Sequence, residues 1–198
     1  MNATDKRVGR PPGPHGDTLG KLLPTALRLF IEEGGAALTP TRLHQETGVG
    51  RATIYRNWPE PADLIEVMLG YATEQPDDDR FTGDLRADLH LALDELLDRF
   101  DHKPARAFFA ACMEYGRHSA RVASAAEAFI DGILGPFRLV LAAAVEAGEL
   151  DGPVDALVSE VTGPLVLEHV VMGRHVSRAR GAEVVDTFLA HRLDGPAG

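Results

Sequence analysis

Residues 47–59 read TGVGRATIYRNWP. Gly48 and Gly50 precede Arg51, Thr53, Tyr55, Arg56 and Asn57, and the stretch closes on Trp58-Pro59. Guanidinium, hydroxyl and amide groups of this kind bind phosphate oxygens and the edges of bases. Two phosphates come into question: that of a cofactor in a glycine-rich loop, or that of a nucleic-acid backbone. The cofactor reading fails on spacing. GVGRAT lacks the third glycine of a dinucleotide fingerprint and follows a helical pattern rather than a strand. GPHGDTLGK (13–21) has the wrong glycine spacing for a phosphate loop, and Leu22 stands where Ser or Thr is required. No cofactor is expected.

Placed on a helix at about 100° per residue, Ile54 and Trp58 fall on one side and point to a core. The opposite side carries Ala52, Thr53 and Arg56, with Tyr55 and Asn57 on the flanks and Arg51 in the first turn. A short helix with a bulky inner pair and a small, hydrogen-bonding outer face, set after a glycine turn, has the form of a helix-turn-helix reader. An arginine that meets a guanine edge through two N–H groups contributes roughly 1–3 kcal/mol of discrimination. Ala52 lets the backbone approach bases, and Thr53, Tyr55, Thr39 and Thr41 can donate to phosphates.

The elements that must hold this helix are also helical. No stretch alternates apolar and polar residues for long, so the fold class is all-α. Residues 1–16 are rich in proline and glycine and read as a flexible basic arm carrying Lys6, Arg7 and Arg10. Leu19, Leu22, Leu23, Ala26, Leu27, Phe30 and Ile31 predict a first helix ending at Gly34-Gly35, with Pro24 forcing either a start near Gly20–Lys21 or a bend. Thr39 is placed as an N-cap with Pro40 at the first helical position, Leu38 and Leu43 as a hydrophobic staple, and Gly48 as the stop. The third helix runs from Arg51 to about Trp58. Pro61 opens a fourth, with Leu64, Ile65, Met68, Tyr71 and Ala72 inward. The head therefore spans 17–74, a linker follows at 75–84, and a second domain occupies 75–198.

In that second domain Leu85, Leu89, Ala92, Leu93, Leu96, Leu97 and Phe100 form one helical stripe. Further helices are predicted over about 104–117, from near 120 to Gly148 (with Gly135-Pro136 as the place a break would fall), over 153–173 with a bend at Gly163-Pro164, and over 182–193. Val154, Leu157, Val158, Val161, Leu165, His169 and Met172 form one stripe and Val184, Val185, Phe188, Leu189 and Leu193 another. They either close the subunit's own core or pair two subunits, and the second is favoured. One short helix reads too few base pairs, whereas two readers about 34–36 Å apart make a usable site.

Composition bounds the function. Net charge is −10 over 198 residues, yet residues 1–56 carry eight basic against five acidic side chains, a net of +3, which leaves −13 for the rest. A basic head on an acidic body suits a DNA reader. A single cysteine, Cys112, forms no internal disulfide. The N-terminus has no apolar segment of the signal-peptide kind, and no run approaches the ~18 apolar residues of a membrane span. A cytoplasmic protein without membrane contact is expected. The eight histidines show no zinc spacing and no nucleophile motif appears, so neither a metal nor an enzyme is expected. Asp77-Asp78-Asp79 reads as solvated linker.

Residues 19–71, with ALRLF in the first helix, a threonine heading the second, the TGV turn and TIYRNWP in the third, resemble the DNA-binding domain of the tetracycline-repressor (TetR) family. LAAAVEAGEL (141–150) and GPLVLEHVVMG (163–173) resemble its ligand domain more loosely. The resemblance implies a homodimer on a palindromic double-stranded DNA operator, most often a repressor, released by a small-molecule effector in a C-terminal ligand-binding and dimerisation domain. It assigns base or groove contacts to Gly50, Arg51, Ala52, Thr53 and Arg56, and phosphate contacts to Thr39, Thr41, Tyr55 and Asn57. It lays Lys6, Arg7 and Arg10 in the minor groove. Relatives carry a lysine at the start of the fourth helix; Pro61 stands there, which removes one backbone contact. The effector set is Phe108, Cys112, Tyr115, Phe129, Phe137, Glu168, His169 and Met172, with Phe109, Met113 and His118 nearby. The alternative is a dimeric DNA-binding regulator without a small ligand, controlled by a protein partner or by abundance.

Overall fold

The computed structural model describes residues 14–72, 80–101 and 104–193, except for the side chains of 14–17, 104 and 105. The arm residues Lys6, Arg7 and Arg10, the triplet Asp77-Asp78-Asp79 and the expected boundary between 74 and 75 lie outside that range. The described residues hold α-helices α1 (Pro14–Glu33), α2 (Pro40–Thr47), α3 (Arg51–Asn57), α4 (Pro61–Ala72), α5 (Leu85–Asp101), α6 (Pro104–Tyr115), α7 (Ala120–Glu146), α8 (Val154–Val166) and α9 (Arg178–Leu193), and no strand among them. The protein is all-α. Two compact units divide inside α4, after Met68.

In the first unit α1 packs on α2 and α2 on α3. Leu22, Ala26, Leu29 and Phe30 of α1, Leu43 of α2, Ile54 and Trp58 of the α3 region and Leu64, Ile65 and Met68 of α4 are buried. The helical spacing anticipated most of this core but missed Leu29, and Leu23, Leu27 and Ile31 of its α1 stripe are only half-buried. Tyr71 was expected inward and is 55% exposed. α1 begins at Pro14, ahead of the predicted Gly20–Lys21 start and within the expected arm, and runs through Pro24. The ring of Pro24 frees the carbonyl of residue 20 from the helical ladder. Gly20 is exposed, so water can take that carbonyl's bond.

The second unit is built round α5 and α7, which pack together, with α8 on α7, α9 on α5 and α8, and α6 on α5 and α7. Each residue of the predicted α5 stripe, from Leu85 to Phe100, is buried. α7 is long and apolar enough to cross a membrane, with a mean hydropathy of 1.7 over its most apolar stretch, unlike the expectation that no run comes near. Its inner face, including Phe129, Ile133, Phe137 and Leu141, is buried against its neighbours, so it is a core helix. It continues through Gly135-Pro136 without a break. Beyond Pro164, α8 loosens into one π-helical turn, Leu167–Val171, closed by Met172 N–H donating to the Leu167 carbonyl at 3.0 Å.

The stripes favoured for subunit pairing are core. Leu157, Val158, Val161 and Leu165 of α8 and Val184, Val185, Phe188 and Leu189 of α9 are buried within the subunit. Met172 and Leu193, at the ends of those stripes, are 51% and 48% exposed. The outer face of the pair is different: Glu160, Pro164, Arg180, Thr187 and His191 line a shallow groove there, floored by Val184 and Phe188.

Candidate nucleic-acid interface

The turn between α2 and α3 is held by local bonds that follow from its residue types. The Thr39 hydroxyl accepts from the Arg42 N–H at 3.3 Å and caps α2, with Pro40 at its first position. Leu38 and Leu43 are both buried at that entry. Gly48 takes φ 70°, the left-handed conformation that a side chain disfavours. The Thr47 hydroxyl donates to the Leu43 carbonyl at 2.6 Å and accepts from Val49 N–H at 3.2 Å. The His44 ring Nδ1 lies 2.9 Å from the Val49 carbonyl oxygen, so Nδ1 carries the hydrogen that joins them. Gly50 then starts α3, its carbonyl accepting from Thr53 and Ile54 at 2.9 and 3.0 Å.

On α3, Ile54 and Trp58 are buried while Arg51, Ala52, Tyr55 and Arg56 are exposed. The last four, with Pro40, line one hollow of about 390 Å³. Tyr55, expected on a flank, is 66% exposed. Thr53 is half-buried, and Asn57 uses one amide hydrogen on the Thr53 carbonyl at 2.9 Å. The side chains of Thr39 and Thr41 are exposed on the first turn of α2. Arg51 Nη2 donates to Thr41 Oγ1 at 2.8 Å, a contact across the turn that spacing arguments missed, although the turn length brings the second residue of α2 to the first of α3.

Two other arginines of this unit are engaged away from α3. Arg42 pairs with Glu46 at 2.6 Å and Glu33 at 3.1 Å. Arg28 pairs with Glu32 at 2.8 Å and also with Glu46. The hydrogen bond from Arg42 is the main force holding the Glu46 carboxyl below its ordinary range. At the head of α4, where relatives carry lysine, Pro61 is followed by Asp63, whose carboxylate accepts from Glu60 N–H at 2.9 Å. That is half of a capping box, and two acids there offer a phosphate nothing.

In the second unit none of the described cavities unites the expected effector residues. Phe108 and Phe129 pack ring to ring at 5.5 Å in the core, and Phe137 is fully buried. His169 is buried and stacked on Phe100 at 4.2 Å, with neither ring nitrogen in a hydrogen bond of proper geometry. Burial, then the Arg106 charge, push its pKa below the usual histidine value, and the nearby Arg174 backbone opposes this. Glu168 is held by Arg180 at 2.8 Å. Met172 is exposed. Burial raises Tyr115, and it raises the Cys112 thiol to about 11, so that thiol stays protonated. A groove of about 570 Å³ between α6 and α7 includes Cys112, together with Phe109, Met113, Gly116, Ala123, Ala126 and Ile130, and with Arg117 and Glu127 also in its wall. The small residues Ala123 and Ala126 facing Phe109 and Met113 were the sequence signal for this hollow.

Residues 79–188, more than half of the chain, match the family model described as the tetracyclin repressor-like C-terminal domain. The chain belongs to the TetR family of transcriptional regulators. This TetR-family chain is 28% identical over 202 aligned residues to an uncharacterized HTH-type transcriptional regulator of Mycobacterium tuberculosis, with 100% of both chains covered. Its fold matches a TetR transcriptional regulator from Agrobacterium tumefaciens with a TM-score of 0.72 at 20% identity, covering 89% of this chain and 94% of that one. A TetR transcription regulator from Haloarcula marismortui matches with a TM-score of 0.67 at 17% identity over 89% and 98% of the two chains. The TetR family is not enzymatic, and membership carries the helix-turn-helix and DNA binding with it.

Proposed function

We propose that this TetR-family regulator is a cytoplasmic homodimeric repressor. It binds a palindromic operator through α3 and leaves it when a small molecule occupies the second unit. The observation that carries the DNA contact is the split of α3: Ile54 is buried on one side, while Arg51, Ala52, Tyr55 and Arg56 stand exposed on the other. Arg51, Ala52, Thr53 and Arg56 meet the groove, Gly50 brings the backbone close, and Thr39, Tyr55 and Asn57 meet phosphates. Lys6, Arg7 and Arg10 add a basic arm. Because the stripes of α8 and α9 are core, the pairing face is the outer one, round Glu160, Pro164, Thr187 and His191. The α6–α7 groove suits an apolar effector. By linkage, operator and effector weaken each other by the same factor.

The test is selection from a pool of random duplexes, followed by titration. Arg51→Ala is expected to lower discrimination at one base pair per half-site by roughly 1–3 kcal/mol. Unchanged sequence preference in that variant would remove Arg51 from the reading face.

One observation favours a second reading, a regulator without a small ligand. Phe108, Phe129 and Phe137 are buried and line none of the described cavities, and the α6–α7 groove is open to solvent. Thermal-shift screening of small molecules, with and without the selected duplex, separates the two: a ligand that stabilises the free protein and loosens the duplex supports the first.

A further inference from the structure

Thr41 and Arg51 face each other across the helix-turn-helix, joined by the bond from Arg51 Nη2 to Thr41 Oγ1 at 2.8 Å. Both are exposed, so burial does not impose the contact. What imposes it is the framework on either side. The Thr39 cap and buried Leu43 fix where Thr41 leaves α2. Left-handed Gly48 and the His44–Val49 bond fix where Arg51 enters α3.

An arginine on a surface samples many rotamers and must lose them on binding. Arg51 has five N–H donors in one plane, and the Thr41 bond takes one of them. The remaining edge stays free for a two-point bond to a base, in the hollow it shares with Pro40, Ala52, Tyr55 and Arg56. The threonine hydroxyl here acts as acceptor. An alanine or valine at 41 offers no acceptor, and a serine does.

We propose that Thr41 is a positioning residue for recognition. Its hydroxyl holds the Arg51 guanidinium at the angle from which it reads a base edge, so the first turn of α2 sets the sequence preference of α3. This rests on α3 being the reading helix, and it gives Thr41 a role other than the phosphate contact assigned to it by resemblance. The two roles differ in what they change. A phosphate contact strengthens binding to every duplex alike, whereas a positioning contact changes preference at the one base pair that Arg51 reads.

The experiment uses the full chain and a pool of duplexes with a random core. The wild-type site is enriched, and affinities are measured on it, on its single-base variants and on random duplex over a salt series. Arg51→Ala locates the base pair concerned. Thr41→Val is expected to lower discrimination there about fivefold or more, with other positions, random-duplex affinity and salt dependence unchanged. Thr41→Ser is expected to behave as wild type, which shows that the hydroxyl and not the methyl matters. Thr41→Val added to Arg51→Ala is expected to cost no further discrimination. Equal loss on all duplexes with a flatter salt dependence would overturn the proposal in favour of a phosphate contact. Wild-type discrimination in Thr41→Val, or a serine variant as impaired as the valine, would overturn it too. A wild-type chain that enriches no sequence would instead sink the DNA-reading function on which the proposal stands.

Discussion

Thr39 shows how much one hydroxyl can contribute at the residue scale. It satisfies the Arg42 N–H at the open end of an eight-residue helix, too short to be stable alone. Thr39→Ala is expected to lower unfolding free energy by about 1 kcal/mol, and Thr39→Ser to restore most of it, as read by urea denaturation. Residues of this kind were legible in the sequence because capping and turn chemistry is local: Thr39, Pro40 and Gly48 sit where their types require. Tyr71 was not legible. An apolar-looking residue at the edge of a helical stripe turns in or out according to neighbours from distant parts of the chain. Phe137 and Met172, both expected at an effector site, diverge for the same reason. One is fully buried and the other half in solvent, and nothing in their spacing separates them from pocket-lining residues.

At the scale of elements, α5 and α9 meet where Gly181 has no side chain. A Cβ built there would stand 2.8 Å from Leu93 Cδ1 and 3.1 Å from Leu97 Cδ1, and both leucines are buried. Gly181→Val is therefore expected to destabilise the second unit by about 1–3 kcal/mol despite valine's better helix propensity. Adding Leu93→Ala is expected to recover part of the loss, a non-additivity that chemical denaturation of the single and double variants measures. The same crossing explains why the α8 and α9 stripes were misjudged. Helical periodicity reports that a face is covered and is silent on whether the cover belongs to the same chain. The persistence of α1 through Pro24 and of α7 through Pro136 has a related cause. Proline removes one rung, and packing on the flanking turns holds the rod together.

For the whole molecule, the helical class was plain from periodicity, and so was the short third helix. The groove between α6 and α7 was not, because a cavity is made by what neighbouring helices leave empty. Acid response is a property of the whole fold that two groups carry. Burial alone would raise the Asp88 carboxyl, but Thr82 N–H, Gly83 N–H and the Thr82 hydroxyl all donate to it, at 2.7–3.0 Å, and hold it below its ordinary value. Its contribution is complete above about pH 4, the unfolded value, and is lost as pH falls through the folded one. His169 has the same sign at higher pH. Its folded pKa is depressed, so stability is full above about 6.5 and declines below it as the unfolded chain takes up a proton that the native ring refuses. The urea midpoint is expected to fall between pH 7 and 5, and less so in His169→Phe, which keeps a ring on Phe100.

The ion pairs that bind Arg28 and Arg42 to Glu32, Glu33 and Glu46 bear on how the protein searches a genome. Cations already facing carboxylates displace few counterions from a duplex, since release scales with the phosphates neutralised. Sequence-independent adhesion from the described part of the head then falls mainly to Lys21, Arg51 and Arg56. The logarithm of affinity for random duplex is accordingly expected to fall with the logarithm of salt by a slope near that of a few phosphates per subunit, and to steepen when Glu46→Gln, Glu32→Gln and Glu33→Gln together free both arginines. Weak general stickiness lets a scarce regulator leave wrong sites quickly.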